Sequence, residues 1–377
     1  MGKPFMRYLR KAKVERREGR LDFKALSKRL IPREKGMKLA FILLTVLCPW
    51  TFAEEAPVVE TILAYQRNSG GWPKNYDRKR ILLPREHQQL QEQRSQGDTT
   101  IDNGATYTEI RLLAAALKVS PEPKIKLAAL RGIDYLLEGQ LDNGGWPQKF
   151  PGGRGYTLEV TFNDNAMIGV MNLLKDIADE APAFRFVPPS TRGRSAKAVT
   201  RGISCILRSQ VTAGGVPTSW CAQHDRRTLA PCRGRSYELP SLSGKESVGI
   251  VRFLMRIENP DENVRRAIEG AVAWFNQAKL TGVRVDRKRD GSKAGGIDVV
   301  MVKDPKALPL WARFYDLQSN KPIFSSRDGV PRASLAEISH ERRTGYSWLG
   351  PYARALLAED FPKWRVQNRA AGHQPDR

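Results

Sequence analysis

Cysteine and histidine are scarce in this chain of 377 residues, at four each. Three of the cysteines, Cys205, Cys221 and Cys232, lie beyond residue 53. So odd and sparse a set excludes a disulfide framework and leaves room for one bridge, with Cys221–Cys232 as its candidate. No C-x-x-C and no paired-histidine spacing occurs, so nothing supports a zinc site. Acidic residues are short as well, 40 Asp+Glu against 63 Lys+Arg. Of these, 14 basic and 4 acidic residues fall within residues 1–53, which leaves a net charge of +13 for the remainder. A surface this basic attracts polyanions over a Debye length of roughly 10 Å. Nucleic acid is the usual inference from that balance, but an exported protein more often meets acidic polysaccharide or an anionic surface. Linkers rich in Pro, Gly or Ser are also missing, so residues 54–377 read as one domain.

A single apolar run stands out. "MKLAFILLTVLCPWTFAEEA" starts at Met37, with a positive end at Lys38, an apolar core to Trp50 and a small-x-small site at Thr51-Phe52-Ala53. This is the grammar of a secretory signal peptide over 37–53, cleaved near Ala53, and it is too short to span a bilayer. The expected product is secreted or periplasmic, without stable membrane association. Residues 1–36 upstream read as the result of a mis-assigned start codon.

What the chain does contain is a repeat. "QRNSGGWPK" at 66–74 returns as "QLDNGGWPQ" at 140–148 and, weakened, as "QVTAGGVPT" at 210–218. Helical patterns fill the intervals: 103–119 behind Asp102 as N-cap, 124–140, 165–179 and 195–210. Each unit is a turn followed by two helices, with Gln closing the second and glycine supplying the positive φ that ends it. "TIDNGA" (100–105) and "FNDNAM" (162–167) open two successive units with an Asp-Asn pair. The expected fold is mainly α, an (α/α) toroid of stacked helical hairpins with helix N-termini gathered at one end. Trp72 and Trp146 then pack the architecture, with sugar stacking as the other reading. Only 295–302 and 321–329 look like strands or extended loops.

Candidate chemistry sits in the irregular segments, where a scaffolded site normally lies. Asp102, Asn103, Asp164 and Asn165 are hard oxygen donors suited to calcium, although helix capping also explains the two aspartates. In "WCAQHD" (220–225) the spacing of Cys221 and His224 matches no nucleophile pairing; His224 and Asp225 orient a loop or contact substrate. Arg233 and Arg235 in "CRGRSYELPSLSGKES" precede a helix expected near Ser243, and Arg313 and Arg327 lie among aromatic residues. Arginine forks grip carboxylates, so the set suits a carboxylated ligand, with ordinary surface ion pairing as the alternative.

The blocks "GGWPKNYD", "TIDNGATYTEI", "TFNDNAM", "WCAQHD", "RSYELPSLSGKES", "LWARFYDLQSNKPIFSSRDG" and "RRTGYSWLG" together resemble the pectate lyases of polysaccharide lyase family 10. The likeness runs in order from about Thr61 to Leu357. It implies an (α/α) toroid and calcium-dependent β-elimination of polygalacturonate; the chain is separately expected to be a monomer. Carried onto this chain, it places calcium at Asp102 and Asp164 with Asn103 adjacent. It makes Arg235, immediately before "SYE", the catalytic base, and Arg313 and Arg327 contacts to substrate carboxylates.

Removing the C5 proton of a galacturonate requires that its neighbouring carboxylate be neutralised, which calcium and arginine supply. Arginine as base is physically awkward, since its pKa exceeds about 12. Cationic neighbours are therefore expected around Arg235, and with them an alkaline optimum. Two rivals remain at this stage: a glycoside hydrolase on a similar toroid, using paired carboxylates, and a non-catalytic binder of acidic glycan.

Overall fold

The structure is a computed structural model and describes residues 50–371. Residues 1–36 and most of the expected signal peptide lie outside the described residues. The described part is mainly helical, as expected: α1 (Trp50–Tyr65), α2 (Pro84–Glu92), α3 (Tyr107–Ala116), α4 (Pro123–Glu138), α5 (Ala166–Ala178), α6 (Pro189–Ser209), α7 (Glu246–Leu254), α8 (Glu262–Ala278), α9 (His340–Gly345) and α10 (Phe361–Ala371). None of these is long and apolar enough to cross a membrane.

Local chemistry sets the boundaries. Proline occupies the first turn of α2, α4 and α6, where its missing N–H costs nothing. Asp261 caps α8 by accepting from the Val264 N–H at 2.8 Å. The helix expected from 195 begins six residues earlier, at Pro189. Asp102 does not cap α3; it opens a 3-10 turn, and the helix follows at Tyr107.

The hairpins α3/α4, α5/α6 and α7/α8 stack side by side in the arc of an (α/α) toroid, with α5 also packed against both α3 and α7. On α5, Met167, Ile168, Val170, Met171, Leu173, Leu174 and Ile177 are all buried, nearly around the whole circumference. That is the pattern of an inner helix.

The repeat now has a physical explanation. Gln66 Nε2 donates to the carbonyls of Gly70 and Ala128 (2.8 and 2.9 Å). Gln140 does the same to Gly144 and Ala198 (2.9 and 2.8 Å), and Gln210 to Thr218 and Ala267 (both 2.9 Å). Each glutamine ties its own turn to the next hairpin's second helix. The indole N–H of Trp72 and of Trp146 donates to the carbonyls of Ile62 and Leu136, both at 2.7 Å. Trp220 takes this place in the third unit, bonding Ile206 O at 2.8 Å, so Val216 is not a lost tryptophan but an exposed hairpin residue. A fourth copy, unseen in the sequence pattern, is Trp311, bonded to Phe275 O at 2.9 Å. All four indoles are essentially fully buried, which settles Trp72 and Trp146 as packing residues. A Cβ on Gly132 would lie 2.7 Å from the Trp72 ring, so glycine there is a requirement of close approach.

Between α8 and Trp311 a long antiparallel hairpin is inserted, Val283–Arg289 paired with Ile297–Lys303. Its second strand coincides with the expected 295–302 segment, whereas the 321–329 segment contributes only Phe324–Ser325. A second, smaller core of Ala222, Tyr237, Phe314, Phe324 and Trp348 lies under these irregular segments and holds them on the helical arc.

Candidate active site

Three equivalent corners meet at one end of the arc. The carbonyls of Trp72, Trp146 and Trp220 accept from the backbone N–H groups of Thr100, Thr161 and Ser243 at 3.1, 3.1 and 2.7 Å. The next residue of each corner repeats the pattern, Ile101 to Gln148 O, Phe162 to Ala222 O and Gly244 to Arg313 O, at 3.1, 2.9 and 3.0 Å. Asp102-Asn103, Asn163-Asp164 and Lys245-Glu246 are therefore equivalent pairs. The left-handed backbone agrees: φ is positive at Asn103 and Gly104, and again at Asp164 and Asn165. This corrects the sequence alignment of the two aspartates by one residue. Asp164 stands where Asn103 stands, because backbone bonding and not the repeated letters decides the correspondence. The turns carrying Asp102 and Asp164 nonetheless pack against each other.

Charge at the corners is densely paired. Asp164 Oδ1 accepts from Lys245 Nζ at 2.6 Å and from Arg313 Nη2 at 3.2 Å. The same Arg313 Nη2 reaches Glu246 Oε1 at 2.7 Å and Asn163 Oδ1 at 2.8 Å. Desolvation disfavours the Asp164 carboxylate, but Arg313 and Lys245 outweigh it and hold its pKa below the usual range. Burial likewise works against the charge of Arg313, yet Glu246, Tyr346 and Asp164 push its pKa up. Asp102 pairs with Lys74, which sits two residues after Trp72 just as Arg313 sits two after Trp311. Arg313 is only 3% exposed. Its guanidinium is spent on Asn163, Asp164 and Glu246.

Arg235 stands beside this cluster. Its Nη2 donates to Glu238 Oε1 at 2.5 Å, and its backbone N–H donates to Glu238 Oε2 at 2.8 Å. The Tyr346 hydroxyl donates to the same Glu238 Oε1 at 2.7 Å. Arg235 and Arg313 share the Tyr346 ring, with guanidinium carbons 5.5 and 4.5 Å from its centroid. Arg235, Arg327 and Arg342 crowd Tyr237 in the same way, at 5.1, 5.9 and 4.5 Å. The expected cationic neighbourhood is thus present. Its effect on Arg235 is overridden, however: burial works against the charge, but the hydrogen bond and charge of Glu238 raise the pKa above its ordinary value. Arg327 is exposed and paired to Glu341 at 2.9 Å, and Arg233 is exposed.

His224 and Asp225 are loop builders. His224 is fully buried; its Nε2 accepts from the Cys221 N–H at 3.1 Å, and Nδ1 lies 2.8 Å from Leu229 O. Burial pushes its pKa down to about 4, so the ring is neutral and offers no face to a substrate. Asp225 accepts from the N–H groups of Arg227 and Thr228 at 2.9 and 2.7 Å and closes a turn. Burial sets His224 in the loop-orienting role and not against a substrate, while half-buried Asp225 builds the same loop with its turn. Cys205, Cys221 and Cys232 are all free thiols, so the candidate bridge is not formed. Sequence reasoning missed Lys245, Glu246, Glu238 and Tyr346, although "RSYELPSLSGKES" and "RRTGYSWLG" contain all four.

The donors at Asp102, Asn103 and Asp164 fit a hard cation in kind. Asn103 donates its amide N–H to Asn75 Oδ1 at 3.0 Å, which leaves its own Oδ1 as an acceptor. Among the described residues no group of three or more His, Cys, Asp or Glu side chains stands close enough to hold a metal. Two carboxylates and an amide fall short of the roughly 6–8 oxygens calcium takes. A calcium ion held there would need water or a carboxylated ligand to complete its shell.

A family model described as pectic acid lyase matches residues 66–357. Among solved structures, a family 10 polysaccharide lyase from Cellvibrio cellulosa is 34% identical, with a TM-score of 0.70, covering 85% of this chain and 95% of that one. A point mutant of a family 10 polysaccharide lyase from the same organism, in complex with trigalacturonic acid, matches with the same identity and TM-score over 83% of this chain and 95% of its own. No protein of curated function matches the chain.

Proposed function

The chain belongs to the pectic acid lyase family and is a pectate lyase; from that premise we propose that it cleaves demethylated polygalacturonate by calcium-dependent β-elimination, leaving 4,5-unsaturated ends. The observation that carries this reading is the meeting of the Asp102 and Asp164 turns with Lys245, Arg313 and Arg235. Asp102, Asn103 and Asp164 would hold the ion, whose chemistry there is to neutralise a substrate carboxylate and so acidify the adjacent C5–H. Lys245 and exposed Arg327 present further positive charge to that carboxylate, while buried Arg313 keeps Asp164 ionised from beneath. Arg235 takes the C5 proton, the C5–H electron pair becomes the C4=C5 double bond, and the C4 oxygen leaves with the adjoining sugar and takes a proton from water. With Glu238 holding a proton on Arg235, this role requires the neutral guanidine that only alkaline conditions populate. The neighbour's bound trigalacturonic acid supports a polygalacturonate substrate. The proposal extends to a monomer exported through the 37–53 segment and steered to its polymer by net positive charge.

The test is incubation of purified enzyme with polygalacturonate, with calcium and with chelator, followed by ultraviolet absorbance. An unsaturated product formed only with calcium is expected. Cleavage without that absorbance would restore the hydrolase.

A further inference from the structure

Arg327, the exposed arginine of the candidate site, is not a free side chain. Glu341, the second residue of α9, accepts from its Nη2 at 2.9 Å and from its Nε at 3.3 Å. The same carboxylate accepts from both Nε and Nη2 of Arg342, the former at 2.6 Å. Glu341 therefore bridges two guanidinium forks, and burial separates their roles. Arg342 is 7% exposed and its guanidinium carbon lies 4.5 Å from the Tyr237 ring centroid, so it is the fixed anchor. Arg327 is the end that a ligand can reach. Three bonds hold the helix itself. Trp348 Nε1 donates to Arg342 O at 2.9 Å, and Arg343 grips Asp298 of the inserted hairpin at 2.7 and 2.8 Å. The Ser339 N–H, just before α9, donates to Ser326 Oγ at 2.7 Å and so ties the helix to the turn that carries Arg327.

Asp328, next along the chain, is taken by both Nη atoms of Arg332 at 3.0 and 2.6 Å. That leaves Glu341 as the carboxylate partner of Arg327 among the described residues. Glu341 occupies one edge of the fork, Nε and Nη2, while Nη1 makes no hydrogen bond among the described residues. An arginine fork has a second bidentate edge, Nη1 with the other Nη2 proton, and here that edge is open to a second carboxylate. We propose that Glu341 is a positioning residue for the lyase reaction: anchored by Arg342, it presents the open edge of Arg327 to a substrate carboxylate. Arg327 and Arg235 lie on the same Tyr237 ring, 5.9 and 5.1 Å from its centroid, so fixing one sets it relative to the other. The inference rests on the pectate lyase reading, which makes the ligand a uronate. As a stabilising contact an exposed ion pair of this kind is worth little. Its value lies in binding, because a long side chain that is already ordered loses less freedom when the substrate arrives. The bonds from Arg342 and Arg327 pull the Glu341 pKa down to about 2, so the bridge stays charged through the neutral and alkaline range.

Steady-state kinetics of the full chain on polygalacturonate with calcium test this. Glu341→Gln keeps the side-chain length but removes the charge and the second acceptor oxygen. KM should rise roughly two- to tenfold, the cost of ordering one long side chain on binding, with kcat within about twofold of wild type. Tm should be nearly unchanged. A double-mutant cycle supplies the readout that a structural role would not move. If Glu341 acts through Arg327, Glu341→Gln should add nothing to the KM of Arg327→Ala. An unchanged KM in Glu341→Gln overturns the proposal, and so does a penalty that persists in the Arg327→Ala background. A lowered KM overturns it too, because Glu341 would then be a rival that the substrate has to displace. Calorimetric titration with oligogalacturonates in chelator repeats the cycle on Kd without turnover. The positioning role can therefore fail while unsaturated product still forms, and stand if none does.

Discussion

Arg235 Nη2 lies 2.5 Å from Glu238 Oε1, and Glu238 is almost fully buried. The residue proposed as base is therefore held in its protonated form by a carboxylate three positions along the chain. An opposite charge at this range shifts a pKa by ~1–3 units. Glu238→Gln keeps an oxygen for Tyr346 and for Arg235 but removes the charge, so the Arg235 pKa should fall toward its ordinary value. The alkaline rise in kcat should then move to lower pH by about one unit or more. A pH–rate profile checks this, and an unmoved profile would show that deprotonation of Arg235 does not limit the rate.

Glu246 and Asp164 share Arg313 but differ in burial, with side chains 1% and 29% exposed. Removing one partner of a buried ion pair typically costs ~3–5 kcal/mol, because it strands the other charge. Glu246→Ala should approach that figure in denaturant melts. Asp164→Ala leaves Arg313 on Glu246 and Asn163, so its stability cost should be far smaller, under about 1 kcal/mol. Its effect should appear in calcium titrations instead, as a loss of affinity and of calcium-dependent turnover. Equal stability costs in the two variants would contradict this division of labour.

His224 gives the fold a definite acid sensitivity. Its folded pKa of about 4 lies below the ordinary 6.5, so the unfolded chain binds the proton more readily. Stability contributed by the neutral ring is complete above pH 6.5 and declines as the pH falls toward 4. The full loss is roughly 3 kcal/mol at 1.36 per unit. His224→Gln should unfold more easily at pH 7 yet lose this part of the slope, as Tm measured across the pH range will show.

Much of this was legible because the hairpins repeat. The glutamine, the glycine pair and the apolar spacing are local signals, and each has one packing job per unit. The third tryptophan was hidden because the Thr212–Pro217 hairpin displaces it to Trp220, and the fourth because the Val283–Lys303 insertion separates Trp311 from its helix. Charge pairing was not legible at all. Glu246 and Arg313 are 67 residues apart, and nothing local distinguishes a lysine such as Lys245 that faces an aspartate across two hairpins from one in solvent. The Asp-Asn echo misled by one residue for a related reason: letters repeat more easily than hydrogen-bond positions.

Arg235 and Arg233 are two residues apart and differ in what they touch. Arg235 is packed on Tyr237 and Tyr346 and bonded to Glu238, whereas Arg233 is exposed beside the Gly329 turn. If Arg235 takes the C5 proton, Arg235→Ala should lower kcat by ~10²–10⁴ with little change in KM, as loss of a general base does. Arg235→Lys separates base from clamp. Lysine retains a positive charge but not the fork, so a residue that only gripped carboxylate would keep part of its turnover and show a raised KM. A positioned base should lose kcat in both variants. Arg235→Ala also strands Glu238 with Tyr346 as its remaining side-chain donor, so circular dichroism and Tm must accompany the kinetics. Arg233→Ala should retain most of its turnover. A dead Arg233→Ala beside an active Arg235→Ala would move the base to the exposed arginine, and the contacts to Glu238 and the two tyrosines would then be structural.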